Sequence, residues 1–386
     1  MRILLMSLAL LLSSFALFAQ SNVIHIGAIF NLTGRQSMLG TASLQGAQLA
    51  VKQINSSQGV LGRKLQLVTK NGQTNPAVLT RIAKGFMTND QVNLVIGLSD
   101  NNMVLIAAPL IVQAGKLFIT TGATSPLLPL TMPKHFFMAC FGDNTQAAAA
   151  AEFAYQRLKV KRVAVLYDEG MNYSKGLQAY FVQRFKAMGG HIVYRAPFAH
   201  VNPSITKQLQ AIKQIKPLPQ LLYLASGPAE TPKLIQAVRK AGLTMPILGG
   251  DAYDAKAIIG AMGKKANNIY YTTHGYYAFN NPPKKIRLFV HAYFKAYHQL
   301  PTAYAGLAYD TIYLLKSAMI KAQSATADAV AHALDNTHHF VGVTGSMDYS
   351  VTQHMPKKSV AIVGIRSGKS SFIAEWHPTK VPMAML

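Results

Sequence analysis

The chain's 386 residues are 50% hydrophobic, enough for two or three packed domains of ~150 residues each and too apolar for a disordered chain. Its 38 Lys and Arg face only 14 Asp and Glu, and the resulting +24 is dispersed: 10 basic and 2 acidic groups in 1–141, 17 and 7 in 142–271, 11 and 5 in 272–386. That pattern excludes a basic tail or nucleic-acid-binding arm, and the single cysteine, Cys140, excludes an intramolecular disulfide and a Cys-based metal cluster.

Residues 1–19 open with Met1-Arg2, run apolar from Ile3 to Leu12 and leave through small residues ending at Ala19, the pattern of a cleaved secretory signal. The run is short for a ~20-residue membrane span, and no Cys follows it to carry a lipid anchor. From residue 23 short apolar strands alternate with amphipathic helices. Strands are expected at 23–30, 65–68, 92–97, 117–120, 162–167, 192–195, 221–225 and 246–249. Helices are expected at 40–54, 76–86, 103–113, 146–158, 174–188, 205–215 and 231–241. Such strand–helix units build parallel sheets covered on both faces, with ligands bound beyond the carboxyl ends of the strands. The loops there are 31–40, 98–103, 121–126, 168–174, 226–231 and 250–254. Two stretches, 136–143 and the aromatic-rich 270–277, break the rhythm and read as crossings between domains. Helices at 284–299 and 304–317, the segment Val341-Gly342-Val343-Thr344-Gly345 and a strand-rich tail close the chain.

No phosphate loop, dinucleotide fingerprint, nucleophile elbow or H-E-x-x-H motif occurs. With so few acids, paired catalytic carboxylates have few candidates. His338-His339 reads as a solvated pair, Asp310 with Tyr309 and Tyr313 as helix packing, and Cys140 as a small core residue near a crossing. The chain reads as a binder with no catalytic residue, metal ligand or cofactor.

Several motifs recur in a telling order: Ile26-Gly27-Ala28-Ile29-Phe30-Asn31-Leu32-Thr33-Gly34, Gly46-Ala47-Gln48-Leu49-Ala50-Val51-Lys52-Gln53-Ile54-Asn55, Gly62-Arg63-Lys64-Leu65 and Val95-Ile96-Gly97. Thr121-Gly122-Ala123-Thr124-Ser125-Pro126, Tyr173-Ser174-Lys175-Gly176-Leu177, Gly249-Gly250-Asp251-Ala252 and Ala308-Tyr309-Asp310-Thr311-Ile312-Tyr313-Leu314-Leu315 come after them. With them the chain resembles the Leu/Ile/Val-binding protein family, the periplasmic substrate-binding proteins of branched-chain amino-acid ABC transporters. The resemblance implies an α/β type I periplasmic-binding fold, with two doubly wound parallel-sheet lobes joined by three hinge crossings. Lobe 1 would be 23–140 with 273–346, and lobe 2 would be 141–272 with 347–386.

It also implies ligand-binding residues at Asn101, Asn102, Gly122, Ala123, Thr124, Tyr173, Gly227 and Asp251. In that family a Ser/Thr-rich loop after Val-Ile-Gly holds the ligand carboxylate. A carbonyl and a hydroxyl of the Gly-Ala-Thr loop, with an acid from lobe 2, hold its ammonium. Here the second loop is Gly122-Ala123-Thr124, the acid is Asp251 in place of the usual Glu, and the lobe 2 aromatic is Tyr173. The first loop departs: Leu98-Ser99-Asp100-Asn101-Asn102-Met103 puts Asn101 where a hydroxyl would donate, and adds an anion at Asp100. The 225–228 loop around Gly227 lacks the usual aromatic. From the residues alone, Asp251 also reads as the N-cap of a helix over 252–262, Tyr173 as a surface aromatic at a helix entry, and Thr124 as a turn hydroxyl.

The expectation is a monomeric, periplasmic receptor, exported through a cleaved signal, that captures an amino acid or similar small polar ligand between its lobes for an ABC transporter permease. The alternative on the same scaffold is a ligand sensor or envelope-interaction protein without transport. The scarcity of acids predicts weak pH dependence of stability below neutrality, apart from the histidines.

Overall fold

A computed structural model describes residues 22–278, 282–349 and 354–384; the expected signal segment 1–19 lies outside them. The first run of elements is β1 (Val23–Phe30), α1 (Ser37–Ser56), β2 (Lys64–Asn71), α2 (Pro76–Met87), β3 (Val92–Gly97), α3 (Asn101–Gln113), β4 (Leu117–Thr120), α4 (Leu128–Thr131) and β5 (Phe136–Met138). Its strands form a parallel sheet in the order β2-β1-β3-β4-β5. The second run is α5 (Asp143–Glu152), β6 (Arg162–Asp168), α6 (Asn172–Ala187), β7 (His191–Phe198), α7 (Thr206–Gln214), β8 (Leu221–Ala225), α8 (Thr231–Lys240), β9 (Ile247–Gly249), α9 (Ala255–Met262) and β10 (Ile269–Thr273). After it come α10 (Lys284–Tyr297), α11 (Ala303–Ala322), α12 (Ala327–Asp335), the hairpin β11 (Phe340–Gly342) and β12 (Gly345–Met347), then β13 (Val360–Arg366) and β14 (Lys369–Trp376). The second sheet runs β14-β13-β10-β9-β8-β6-β7. It is parallel from β10 to β7, and β13 and β14 join antiparallel at one edge.

The helices form where the sequence gives them both an apolar face and an end. In α2, Leu79, Ala83 and Phe86 are buried at helical spacing, Pro76 opens the first turn, and the Asn75 side chain accepts from Ala77 N and Val78 N. In α1, Gly46 lets α11 approach so closely that an added Cβ would lie 1.9 Å from the Ala305 carbonyl oxygen. The first core therefore joins residues distant in sequence, with Ile26, Ala47 and Ile96 packed in one cluster with Tyr293, Leu307 and Ile312. The second sheet is covered on both faces. Phe181 and Tyr223 lie in one cluster, and Leu209, Ile235 and Ile258 in the other.

Three differences from the sequence reading affect the cleft and its hinge. The stretch 136–143 is β5, a short passage and the start of α5, which begins at Asp143 rather than at 146; Gly142 is extended, and the acid suits the positive end of the helix. The first half of the 270–277 stretch ends strand β10 (Ile269–Thr273), and 274–277 follows it without regular structure. The third passage falls later than the expected boundary at 346–347. Met347 and Tyr349 belong to the first core, and the Tyr349 hydroxyl donates to the Met138 carbonyl at 2.6 Å. Helix α12, not anticipated, buries Val330, Ala331 and Leu334.

The passages are braced by buried polar groups. Asp310 on α11 accepts from Val343 N (2.7 Å), Thr344 N (2.8 Å) and Thr344 Oγ1 (2.6 Å). Lys358 Nζ donates to Thr344 Oγ1 at 2.7 Å and to the Ala139 carbonyl at 3.3 Å, tying the third passage to the first. Burial pulls the Lys358 ammonium down to about 8, against the attraction of Asp310. Asp310 therefore braces the passage as well as packing its helix.

Candidate functional site

The loops at the carboxyl ends of β3 and β4 are locked to each other before they reach the cleft. Gly97 has φ +134° and sits where a Cβ would lie 1.9 Å from the Ile29 carbonyl, so only glycine lets β3 turn there. Thr120 Oγ1 donates to the Leu98 carbonyl at 2.7 Å and accepts from Ala123 N at 3.0 Å, and the Cys140 thiol donates to the Ala123 carbonyl at 3.1 Å. Asp100 caps α3 by accepting from Met103 N and also takes the Gln36 amide, both at 3.0 Å. The anion that the sequence placed beside the ligand is thus spent on a helix end and a neighbour.

Asn101 then projects its amide to Asp143 Oδ2 at 3.1 Å, while its own oxygen accepts from Ser125 N at 3.0 Å. Thr124 Oγ1 donates to Asp143 Oδ1 at 2.7 Å. Asp143 and Gln146 stand one turn apart on α5, and the Gln146 amide donates to Asp143 Oδ1 (3.1 Å) and to Asp251 Oδ1 (2.9 Å). The Gln146 oxygen accepts from Thr272 Oγ1 at 2.9 Å and from Asp251 N at 3.2 Å. Asp251 Oδ2 accepts from His274 Nε2 at 2.9 Å and from the Tyr304 hydroxyl at 3.1 Å. The His274 ring stacks on Phe141 with centroids 3.8 Å apart. The Tyr173 hydroxyl accepts from Ala252 N at 3.3 Å.

Helix α9 starts at Ala255, and its cap is Asp254, which accepts from Ala257 N at 2.7 Å. Asp251 is therefore not the cap that the sequence allowed. It is 3% exposed, and Tyr173, at 7%, is not a surface aromatic. Asn101, Thr124, Tyr173 and Asp251 all join one buried network. Ala123 lies buried behind it, and Gly122 packs against Ser99 and Tyr304. Asn102 instead stitches the rim, donating to the Gly170 carbonyl at 3.4 Å and accepting from Asn172 N at 3.1 Å. Gly227 opens α8, where its carbonyl accepts from Thr231 N and Oγ1. A second stitch at the rim is Arg35, whose guanidinium reaches Glu230 Oε1 at 2.7 Å and the His200 carbonyl at 2.8 Å.

The charges in this network are set by burial. Loss of water raises the Asp143 carboxyl to about 8; the Thr124 hydroxyl opposes the rise and the nearby Asp251 charge adds to it. Burial pushes Asp251 up too, but His274 and the donors from Gln146 and Tyr173 outweigh it and hold the acid below the usual carboxylate range. Burial holds His274 below the ordinary imidazole value, against the pull of Asp251. At neutral pH the pair is an ionised Asp251 accepting from a neutral His274, which must then carry its hydrogen on Nε2.

Sequence reasoning missed Asp143, Gln146, His274 and Tyr304. The available signal was Asp143-x-x-Gln146 directly after the first crossing, a pair that a helix starting at Asp143 places on one face. His338 and His339 are exposed, their ring nitrogens 4.0 Å from Asp348. Among the described residues, no group of three or more His, Cys, Asp or Glu is placed to hold a metal ion. No described helix is long and apolar enough to cross a membrane.

Buried polar side chains of two doubly wound lobes that meet at the carboxyl ends of their strands are the arrangement of a receptor that closes on a small solute. The model of one family, "Periplasmic binding protein", matches residues 23–370. The chain belongs to the periplasmic binding protein family. Membership makes it a solute-binding protein of the type I fold and not an enzyme. This periplasmic binding protein is similar to "Leu/Ile/Val-binding protein homolog 3" of Brucella melitensis, 26% identical over 348 residues that cover 90% of this chain and 92% of the relative. Among solved structures it is similar to the leucine binding protein LivK of Thermotoga maritima, with TM-score 0.84, 27% identity and coverage of 92% and 99% of the two chains. The branched-chain amino acid transporter substrate binding protein LivJ of Streptococcus pneumoniae, solved in complex with isoleucine, gives TM-score 0.83, 25% identity and coverage of 91% and 99%.

Proposed function

We propose that this periplasmic binding protein is an exported solute receptor. It captures an amino acid or a similar small polar ligand between its lobes and presents it to an ABC transporter permease. In this reading lobe 1 comprises 23–140 with 273–349, lobe 2 comprises 141–272 with the chain from 360, and residues 1–19 are the cleaved signal that brings the protein to the periplasm.

The observation that carries the reading is the origin of the cleft groups. Asn101, Thr124 and Tyr304 come from elements of the first core, and Asp143, Gln146 and Asp251 from elements of the second. Each side alone offers half of a binding site, so a ligand that bridges them favours the closed state by its differential contacts. Isoleucine in the LivJ complex supports an amino acid as the reference ligand. Calorimetry of the mature protein against amino acids and their derivatives, with scattering to follow compaction, tests the proposal. Micromolar binding with compaction is expected; no binding and no compaction with any of them overturns it.

A further inference from the structure

Hydrogen-bonding capacity in the cleft is unbalanced. Four donors are already spent: the Gln146 amide on both carboxyls, the Thr124 hydroxyl on Asp143, and the Tyr304 hydroxyl and His274 Nε2 on Asp251. Acceptors remain. Asp251 keeps its charge while the groups that donate to it, the Gln146 amide, the Tyr304 and Tyr173 hydroxyls and a neutral His274, carry none. His274 Nδ1 is buried without a partner, and a neutral ring protonated at Nε2 makes it an acceptor. The Ser99 hydroxyl, beside Gly122 on the first-lobe side, is buried and unpartnered and is open to either role. Among the described residues, none of the hydrogen-bond partners of Asp143 or Asp251 is a lysine or arginine, and the buried ammonium of Lys358 is turned to Thr344 and Ala139 at the hinge.

We infer that the cleft selects a small organic cation that carries an ammonium group and no free carboxylate, the chemistry of a primary amine or an amino-acid amide. This deepens the receptor reading and rests on it. An ammonium brings three donors and a positive charge to a site whose ionised acid, Asp251, has no cation beside it, so it supplies what the site lacks. A ligand carboxylate would meet the opposite. The Asn101, Thr124 and Gln146 donors that could hold it already hold the protein's own Asp143 carboxyl, and the newcomer would sit beside another acid group with no basic side chain to compensate. Asp143 thus fills from within the place a ligand carboxylate needs, and specificity arises from that occupancy as much as from the attraction of Asp251.

The test is calorimetry of the wild-type mature protein with matched sets built on leucine, alanine and phenylalanine: the free amino acid, its carboxamide, the corresponding primary amine and the corresponding acid without nitrogen. The inference expects the amide or amine of at least one set to bind ten-fold or more tightly than the amino acid, and the nitrogen-free acids not to bind. Asp143→Asn, which removes the acid and keeps an amide of the same shape, should narrow the gap between amino acid and amide to less than three-fold. An amino acid that binds as tightly as its amide, or a nitrogen-free acid that binds at all, overturns the cation inference and leaves the receptor reading in place. Binding by no compound of any set, with no compaction, overturns both. The wild-type comparison decides the matter even where Asp143→Asn does not fold.

Discussion

His274 donates to Asp251 at 2.9 Å, with the two side chains 0% and 1% exposed. A buried pair of this kind contributes little over an apolar pair, but losing one member leaves an uncompensated polar group. Asp251→Asn retains an acceptor for His274 and loses the charge, and it turns a second amide toward Gln146. We expect about 1–3 kcal/mol of lost folding stability and ten- to a hundred-fold weaker ligand binding, read by chemical denaturation and calorimetry. Unchanged values in both would remove Asp251 from the site.

Asp143 gives the protein an acid-side stability of its own. Its folded value of about 8 lies above the ~3.9 of an unfolded Asp, so between those values the folded state holds a proton that the unfolded state has released. The contribution is complete below pH ~4 and is lost as the pH rises toward 8. His274, held below its unfolded ~6.5, acts in the opposite direction as the pH falls below that point. Melting temperature should rise from about pH 8 to about pH 6.5, and Asp143→Asn should flatten that rise. A fall over this interval in the wild type counts against the assignment.

The hinge brace can be tested at Asp310. Asp310→Ala leaves Val343 N, Thr344 N and Thr344 Oγ1 without their acceptor and leaves the buried Lys358 ammonium unbalanced. At ~1–3 kcal/mol for each stranded buried group, denaturation should show a loss of at least ~3 kcal/mol. A loss below ~1 kcal/mol would mean that water takes over the role of the carboxylate.

Two glycines in helices make a matched pair. Gly46→Ala drives a Cβ toward the Ala305 carbonyl oxygen, where it would lie 1.9 Å away on rigid backbone. Separating α1 from α11 should cost about 1–3 kcal/mol or more. Gly85→Ala, in α2 with nothing within 4 Å of the new methyl, should instead gain about 0.4–1 kcal/mol by restricting the unfolded chain. Thermal melting of the two variants in opposite directions is the expected result, and a shared direction would contradict the packing described for α1.

Strands were legible because buried parallel strands are short, mostly apolar runs. Residues 92–97 and 221–225 show this, and the structure gives them the same bounds. Helix starts were less so. The sequence put the cap of this helix at Asp251, and only the path of the loop after β9 decides that Asp254 opens α9. Individual cleft residues could be named from family motifs, but the groups that join them could not. Asp143 meets Asn101 and Thr124 across the two lobes, and Gln146 meets Asp251 from 105 positions away. Those pairings are set by the packing of α5 against α6 and β10 in the second lobe, which no local periodicity encodes. The third passage was misplaced for a similar reason, since Tyr349 is held by a carbonyl of β5 more than two hundred residues earlier.

The end of the chain finishes the second lobe. Glu152, on α5, is fully enclosed and accepts from Arg184, from Trp376 Nε1 at 3.0 Å and from Thr379 N and Oγ1. Asn144, next to the cleft residue Asp143, donates to the Pro382 carbonyl at 2.9 Å. The first lobe is likewise incomplete until α11 arrives to receive Gly46. A ribosome releases this chain from its amino end onward, so most of its length has emerged before either lobe can close its core. Trp376, Thr379 and Lys380, by covering the Glu152 carboxylate, act as the clasp of the lobe.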